Sequence, residues 1–345
     1  MKYIFILVSF FLFACENQAP KTETIEVQEN QTIEQESNDD KLDSILSSIN
    51  KAILNDVSNP DLYLKRAQLY DSINDTKSAL EDLDRAFKID STKLTTLIAQ
   101  ANFLSKRGKL NLGLRMLEKA QVYHPTDARV YVELSELYLL AKNNEKSLNN
   151  ADLAIKYDKF NAKAYYLKGY NFLEMGDTAR SISSYQTAVE QNPDFLDAFL
   201  ELGYVFSLKH DAIAIDYLEN ALRIDPKNKQ VLYAKGMFEQ EHEMYNEAMK
   251  TYKTAIEYHP DFREAHHNLG YIHMYYLKLY RQALPYFTAA IEVDSNYIEA
   301  YYNRGYSFEL MGDINNAAKD YRKALSIKPD YDLAAKGLSR VTAPL

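Results

Sequence analysis

The pattern of apolar and polar positions changes twice along the chain. Residues 3–13 are apolar apart from one serine, residues 16–40 hold only four aliphatic side chains, and from residue 41 onward apolar positions recur with a helical period. Leu42, Ile45, Leu46, Ile49, Ala52 and Ile53 share one face of a helix, since residues three and four apart are neighbours there. This predicts a helix over residues 41–55.

Beyond that helix the pattern repeats itself. Small residues recur at Ala67, Ala101, Ser135, Gly169, Gly203, Gly236, Gly270 and Gly305, at spacings of 33 to 35 residues. A second series runs Ala79, Gly113, Ser147, Ser181, Ala214, Ala248, Ala283 and Ala317, and a third runs Ala86, Ala120, Ala154, Ala188, Ala221, Ala255, Ala290 and Ala324. Three series that shift together mark a helical-repeat architecture. Two helices that cross closely have no room for a larger Cβ substituent at the contact, and large residues fill the flanks. Tyr63, Leu97, Tyr131, Tyr165, Phe199, Leu232, His266 and Tyr301 stand four residues before the first series. Pro125, Pro193, Pro226, Pro260 and Pro329 close five repeats, because proline cannot continue a preceding helix. Gly108, Gly176 and Gly312 mark the turn inside a repeat, where a left-handed backbone suits glycine. Each repeat is therefore expected to be a helical hairpin. One residue is missing between Gly203 and Ala221 and one is added between Gly270 and Ala290, both around the turn between helices. Pro285 falls early in the second helix of the seventh repeat, where some strain is expected.

The run Ala300-Tyr301-Tyr302-Asn303-Arg304-Gly305-Tyr306, with Met311-Gly312-Asp313 and Tyr321-Arg322-Lys323-Ala324 after it, resembles the tetratricopeptide repeat. The resemblance covers residues 60–331, eight lengths of 34. It implies an all-α, right-handed α-solenoid of eight helical hairpins. Residues 41–59 and 332–345 are expected to supply capping helices, the second with Leu333, Leu338 and Val341 on one side. Stacked repeats need such caps to close the core against water.

In that family the first helix of each hairpin lines a concave groove, at positions one residue after the aromatic and one after the small residue. The first three repeats place Leu64 with Gln68, Ile98 with Asn102, and Val132 with Glu136 there. The last five place Tyr166, Tyr170, Leu200, Tyr204, Tyr233, Met237, His267, Tyr271, Tyr302 and Tyr306. All of these except Leu200 are the candidate partner-binding residues. Tyrosine combines a large contact area with few rotors and a hydroxyl, which suits recognition of an extended peptide. Ordinary packing between helices is the other reading of the same ladder. Relatives that clamp a C-terminal carboxylate use a Lys, Asn and Arg set, of which only Asn268 and Asn303 are partial matches here.

At the amino terminus, Lys2 precedes an apolar run too short to span a bilayer, which reads as a signal peptide. Leu12-Phe13-Ala14-Cys15 resembles the lipobox of bacterial lipoproteins. The resemblance implies loss of residues 1–14 and lipidation of Cys15 by diacylglycerol, with acyl chains such as palmitate holding the protein on a membrane. Residues 15–40 then form an acidic tether, expected to be disordered because it cannot bury enough apolar surface. It is either a plain spacer or a surface-export signal of the kind some Gram-negative lipoproteins carry.

Composition adds mostly exclusions. The net charge of −9 resolves into −7 within residues 16–40 and −3 from residue 41 onward, offset by Lys2. Such a balance argues against nucleic-acid binding, which needs clustered Lys and Arg. Cys15 is the single cysteine, so no disulfide framework exists within the chain. No phosphate-binding loop, nucleophile elbow or zinc-binding HExxH or CxxC motif occurs. His124 and His259 precede prolines in turns, while His266 and His273 on core-facing positions are about 10 Å apart along a helix, too far to share one metal. No catalytic residue, metal or cofactor is expected. The sequence thus leads to a non-enzymatic, lipid-anchored scaffold at the bacterial outer membrane, facing the periplasm or the cell surface. Its partner would be a protein or extended peptide in the concave groove. A glycan-binding surface lipoprotein using the same aromatic face is the alternative, although sugar-binding relatives interrupt their repeats with long insertions and this array has none.

Overall fold

A computed structural model of the chain describes residues 41–343. The signal peptide, Cys15 and the tether expected at residues 1–40 lie outside them. The described residues are helical and form two compact units, divided between Ala99 and Gln100.

The first unit opens with α1 (41–55), followed by α2 (Pro60–Ser72) and α3 (Thr76–Ile89). Local chemistry fixes the boundaries. Asn59 caps α2 by accepting from the Asp61 N–H, Pro60 occupies the first turn, and Asp75 caps α3 through the Ser78 N–H. Ile53 of α1 packs with Tyr63 and Ala86, flanked by Ile49, Leu62, Leu64 and Ile89. Ile45, expected on the same face of α1, is exposed. Arg66 makes a two-pronged ion pair with Asp82 at 2.7 Å and donates to Asn50 on α1 at 2.6 Å.

The division falls inside α4 (Leu94–Lys106), and the second unit continues with α5 (Leu110–Tyr123). Five hairpins then follow, α6 (Ala128–Leu140) with α7 (Asn144–Tyr157), α8 (Ala162–Glu174) with α9 (Thr178–Gln191), α10 (Leu196–Leu208) with α11 (Ala214–Ile224), α12 (Lys229–Glu241) with α13 (Tyr245–Tyr258), and α14 (Arg263–Tyr271) with α15 (Tyr280–Val293). The last hairpin pairs α16 (Ile298–Leu310) with α17 (Ile314–Ile327), and α18 (Asp332–Thr342) closes the unit. First helices also pack on first helices of the next hairpin, as α6 does on α8 and α10 on α12. The expected all-α helical repeat is the observed fold.

The small-residue series has a direct steric reason. A Cβ on Gly236 would lie 2.5 Å from the buried ring of Tyr252, one on Gly169 2.6 Å from Tyr185, and one on Gly270 2.7 Å from Phe287. Each ring therefore seats directly against the backbone of the preceding helix. In α18 Gly337 repeats the device against Tyr321, with Ala334 buried beside it and Leu338 and Val341 packed on the same cluster. Leu333, expected to face inward with them, is exposed because it falls one position out of that phase.

Every turn inside a hairpin contains a residue with positive φ. Gly108, Gly176 and Gly312 take it at +71°, +79° and +80°, while Asn74, Lys142, His210, Glu243 and Lys278 adopt it without glycine. The two length changes are absorbed at these turns. The missing residue shortens α11 to 11 residues, where α9 and α13 have 14. The added residue converts the end of the α14 helix into one π-helical turn, Ile272–Tyr276. Pro285 sits inside α15, which continues through it at an exposed position.

The close contacts make a graded prediction. Gly270→Ala should lower stability by about 1–3 kcal/mol, since the Phe287 ring has no room to retreat. Gly305→Ala should cost less, because its Cβ would meet Asp320 and Tyr321 at 3.1 and 3.2 Å. Urea unfolding of the two variants checks the order, and equal losses would contradict it.

Candidate functional site

The nine candidate residues all lie on first helices of the second unit, or on its π-helical turn's threshold, and the packing brings them into one strip. Tyr204 is exposed and the other eight are half-buried. Their alignment follows from the hairpin contact: the small residue faces the second helix, so the residue after it points along the first-helix face.

At one end of the strip, Tyr166 rests on Tyr185 and Phe195, with ring centres 5.6 and 5.1 Å away. Tyr170 packs on the same buried cluster of Tyr185, Leu202 and Phe206. Glu201 of α10 lies among them, and its charge acts on the hydroxyls of Tyr166, Tyr170, Tyr185 and Tyr204. Burial, and then the neighbouring Asp197, push the Glu201 carboxyl up to about 7. Burial together with Glu201 pushes the Tyr204 hydroxyl up to about 12. Toward α6, Glu136 holds Lys163 at 2.5 Å, and half-buried Glu133 is raised by desolvation that Lys163 and Asn102 oppose.

The middle of the strip is a polar chain between rings. Tyr233 lies 5.5 Å from Phe262 and 6.5 Å from Tyr252. Asn268 donates to the Tyr252 hydroxyl at 3.1 Å and to the sulfur of Met237 at 3.4 Å. His267 stands between Asn268 and Asn303, with Asn303 Nδ2 2.9 Å from its Nε2, and packs against Tyr297 at 5.2 Å. Burial pushes its imidazole down, against Asn268 and the charges of Glu299 and Glu264. A neutral imidazole can then complete this hydrogen-bond chain.

Tyr271 stacks on Tyr275 at 5.2 Å and meets Tyr276 edge-on, both residues of the π-helical turn. At the far end Tyr302 stacks on Tyr306 at 6.1 Å and touches Tyr321 and Tyr331. Glu309 accepts from Tyr321 at 2.5 Å and from Arg340 of α18 at 2.7 and 2.9 Å.

The remaining histidines make structural contacts. His266 Nε2 lies 2.9 Å from the Pro260 carbonyl, His273 Nδ1 2.8 Å from that of Leu269, and His259 Nε2 2.6 Å from that of Lys227. Among the described residues no group of three or more His, Cys, Asp or Glu is placed to hold a metal ion.

Sequence reading missed Glu201, Asp197, Glu133 and Tyr297. A signal for two of them was present, since Glu133, Glu201, Asn268 and Asn303 all stand two residues after the aromatic of their repeat. That register faces the same strip.

Family models of the tetratricopeptide repeat match residues 60–93, 166–229, 243–274, 264–297 and 298–331, together more than half of the chain. Human Tetratricopeptide repeat protein 13 is 26% identical over 134 residues, 39% of this chain and 16% of that protein. BBSome complex member BBS4 of Bos taurus is 26% identical over 159 residues, 46% of this chain and 30% of that protein. Human Protein O-mannosyl-transferase TMTC1 is 25% identical over 47% of this chain and 19% of its own length. The chain thus spans less than a third of each of these curated relatives. Among solved structures, the C-terminal part of a repeat-containing protein from Cytophaga hutchinsonii superposes with a TM-score of 0.60 at 19% identity, covering 70% of this chain and 99% of that one. The Cut9–Hcn1 hetero-tetramer of the APC/C gives 0.52 at 17% identity, covering 83% and 56%. These similarities show the fold.

The raised Glu201 carboxyl has a consequence for stability. Between pH 4.5 and about 7 the unfolded chain releases a proton that the folded chain keeps, so this residue lowers stability as pH rises through that window. Glu201→Gln should therefore raise the melting temperature at about pH 8 and leave it unchanged near pH 4. Thermal unfolding at the two values checks this, and a destabilised variant at pH 8 would contradict it.

Proposed function

The chain belongs to the tetratricopeptide repeat family, and on that premise we propose that it is a scaffold holding a protein or extended peptide against its first-helix strip. Proteins of this family act as protein-interaction scaffolds. Two of the relatives bear names of assemblies, a BBSome complex member and a hetero-tetramer. The observation that carries the proposal is the strip itself, a run from Tyr166 to Tyr306 of tyrosines that are half-buried or, at Tyr204, exposed, with the buried amides of Asn268 and Asn303 among them. Rings anchored from below by Tyr185, Tyr252 and Tyr321 lose little freedom when a partner settles on them.

The reading as a non-enzyme rests on the sequence, which offers no nucleophile–base motif. The match to a transferase covers 19% of that relative's length. Attachment to a bacterial outer membrane through lipidated Cys15 rests on the lipobox resemblance and is part of the same proposal.

Two measurements test it. A photo-crosslinker placed at Tyr204 or Tyr271 in cells should give a discrete protein adduct, whereas one at Lys253 on a second helix should not. Repeated absence of a protein adduct from the strip, or capture of glycan in its place, would contradict the scaffold. Cys15→Ala should move the protein from the membrane fraction to the soluble fraction, and an unchanged membrane fraction would contradict the anchor.

A further inference from the structure

We propose that the part of the strip between α8 and α10 seats a cationic side chain, an arginine or lysine carried by an extended peptide. The inference rests on the scaffold reading above and adds the chemistry of the partner.

At three other places along the strip the chain supplies its own cation. Glu136 has Lys163 at 2.5 Å, Glu264 has Arg263 at 2.8 Å, and Glu309 has Arg340 at 2.7 Å. Three rings in or beside the strip are served likewise, Tyr297 by Arg263 at 5.0 Å, Tyr275 by Lys278 at 4.9 Å, and Tyr306 by Arg340 at 5.9 Å. Around Glu201 this arrangement breaks. Among the described residues, Glu201 has no hydrogen bond or ion pair, and no Lys or Arg lies over Tyr166, Tyr170 or Tyr204. Asp197, one helical turn earlier, adds a second negative charge, and Lys163, which feels it, is held by Glu136. The fully buried Tyr185, in contact with Tyr166 below, carries a hydroxyl without a hydrogen-bond partner.

A carboxylate drawn partly out of water without a partner costs free energy that folded chains otherwise avoid. The faces of tyrosine rings are electron-rich and attract cations. A guanidinium satisfies both at once, donating to Glu201 in its plane while stacking on a ring, and an ammonium does so as a point charge. An acidic segment would be repelled, and residues 16–40 of this chain, with eight acidic side chains and one lysine, are such a segment. Charge complementarity therefore selects a basic peptide.

The test uses the full-length protein and its Glu201→Gln variant, each panned against phage-displayed random dodecapeptides, with enriched peptides then titrated by calorimetry. The expected peptides share an Arg or Lys. Replacing that residue by citrulline or acetyl-lysine should weaken binding about tenfold or more, and so should Glu201→Gln. Binding near pH 7 to the parent should also release a proton, because an arriving cation favours the charged form of a carboxyl that titrates at about 7. Heats measured in two buffers of different ionisation enthalpy read this release, and Glu201→Gln should abolish it; a purely structural role for Glu201 would not produce it. Peptides that lose binding in Tyr204→Ala yet carry no cation and bind Glu201→Gln equally well would overturn this inference and leave the scaffold reading standing. Failure to enrich any peptide would overturn both.

Discussion

The contact on which the rest depends is the seating of a large second-helix residue against the bare backbone of the first. Tyr185 on Gly169, Leu218 on Gly203, Tyr252 on Gly236 and Phe287 on Gly270 occupy space that a single methyl group would fill. Protein interiors are packed densely enough that such a contact sets both the separation and the rotation of two helices. Once that rotation is fixed, the residue after each glycine must lie on the first-helix face. The tyrosine strip is thus a consequence of the core, and its regularity comes from the regularity of the contact beneath it.

The same logic explains where charge sits. Ion pairs such as Arg66 with Asp82 and Arg304 with Asp320 join first and second helices beside the contact, with the aspartates buried. They tie hairpins together and leave no charge to offer. Glu201 differs because its helix turns it toward the strip, where rings surround it and, among the described residues, no basic side chain pairs with it. A near-neutral array can therefore carry a local acidic, aromatic seat, and recognition there depends on short-range contact more than on a long-range field.

The architecture was legible in the sequence because repetition amplifies a weak signal. One glycine says little, but Gly169, Gly203, Gly236, Gly270 and Gly305 in register identify a steric requirement. The placement of both length changes near turns was readable for the same reason. Other features were not. Whether Ile45 or Leu333 faces inward depends on a phase that one apolar residue cannot specify. The π-helical turn at Ile272–Tyr276 could not be distinguished from a longer loop by residue count alone. The isolation of Glu201 is a property of what fails to surround it, and it emerges only when α6, α8 and α10 are placed side by side.

The volumes of the paired small and large residues set the hairpin register. Ala67 with Leu83 and Ala101 with Leu117 stand where Gly236 stands with Tyr252, so in those two hairpins, unlike at Gly203 with Leu218, a methyl group faces a leucine. A double-mutant cycle of Gly236→Ala and Tyr252→Leu, followed by urea unfolding, measures this directly. The double variant should be more stable than the sum of the single losses implies, by about 1 kcal/mol or more. Strict additivity of the two losses would contradict it.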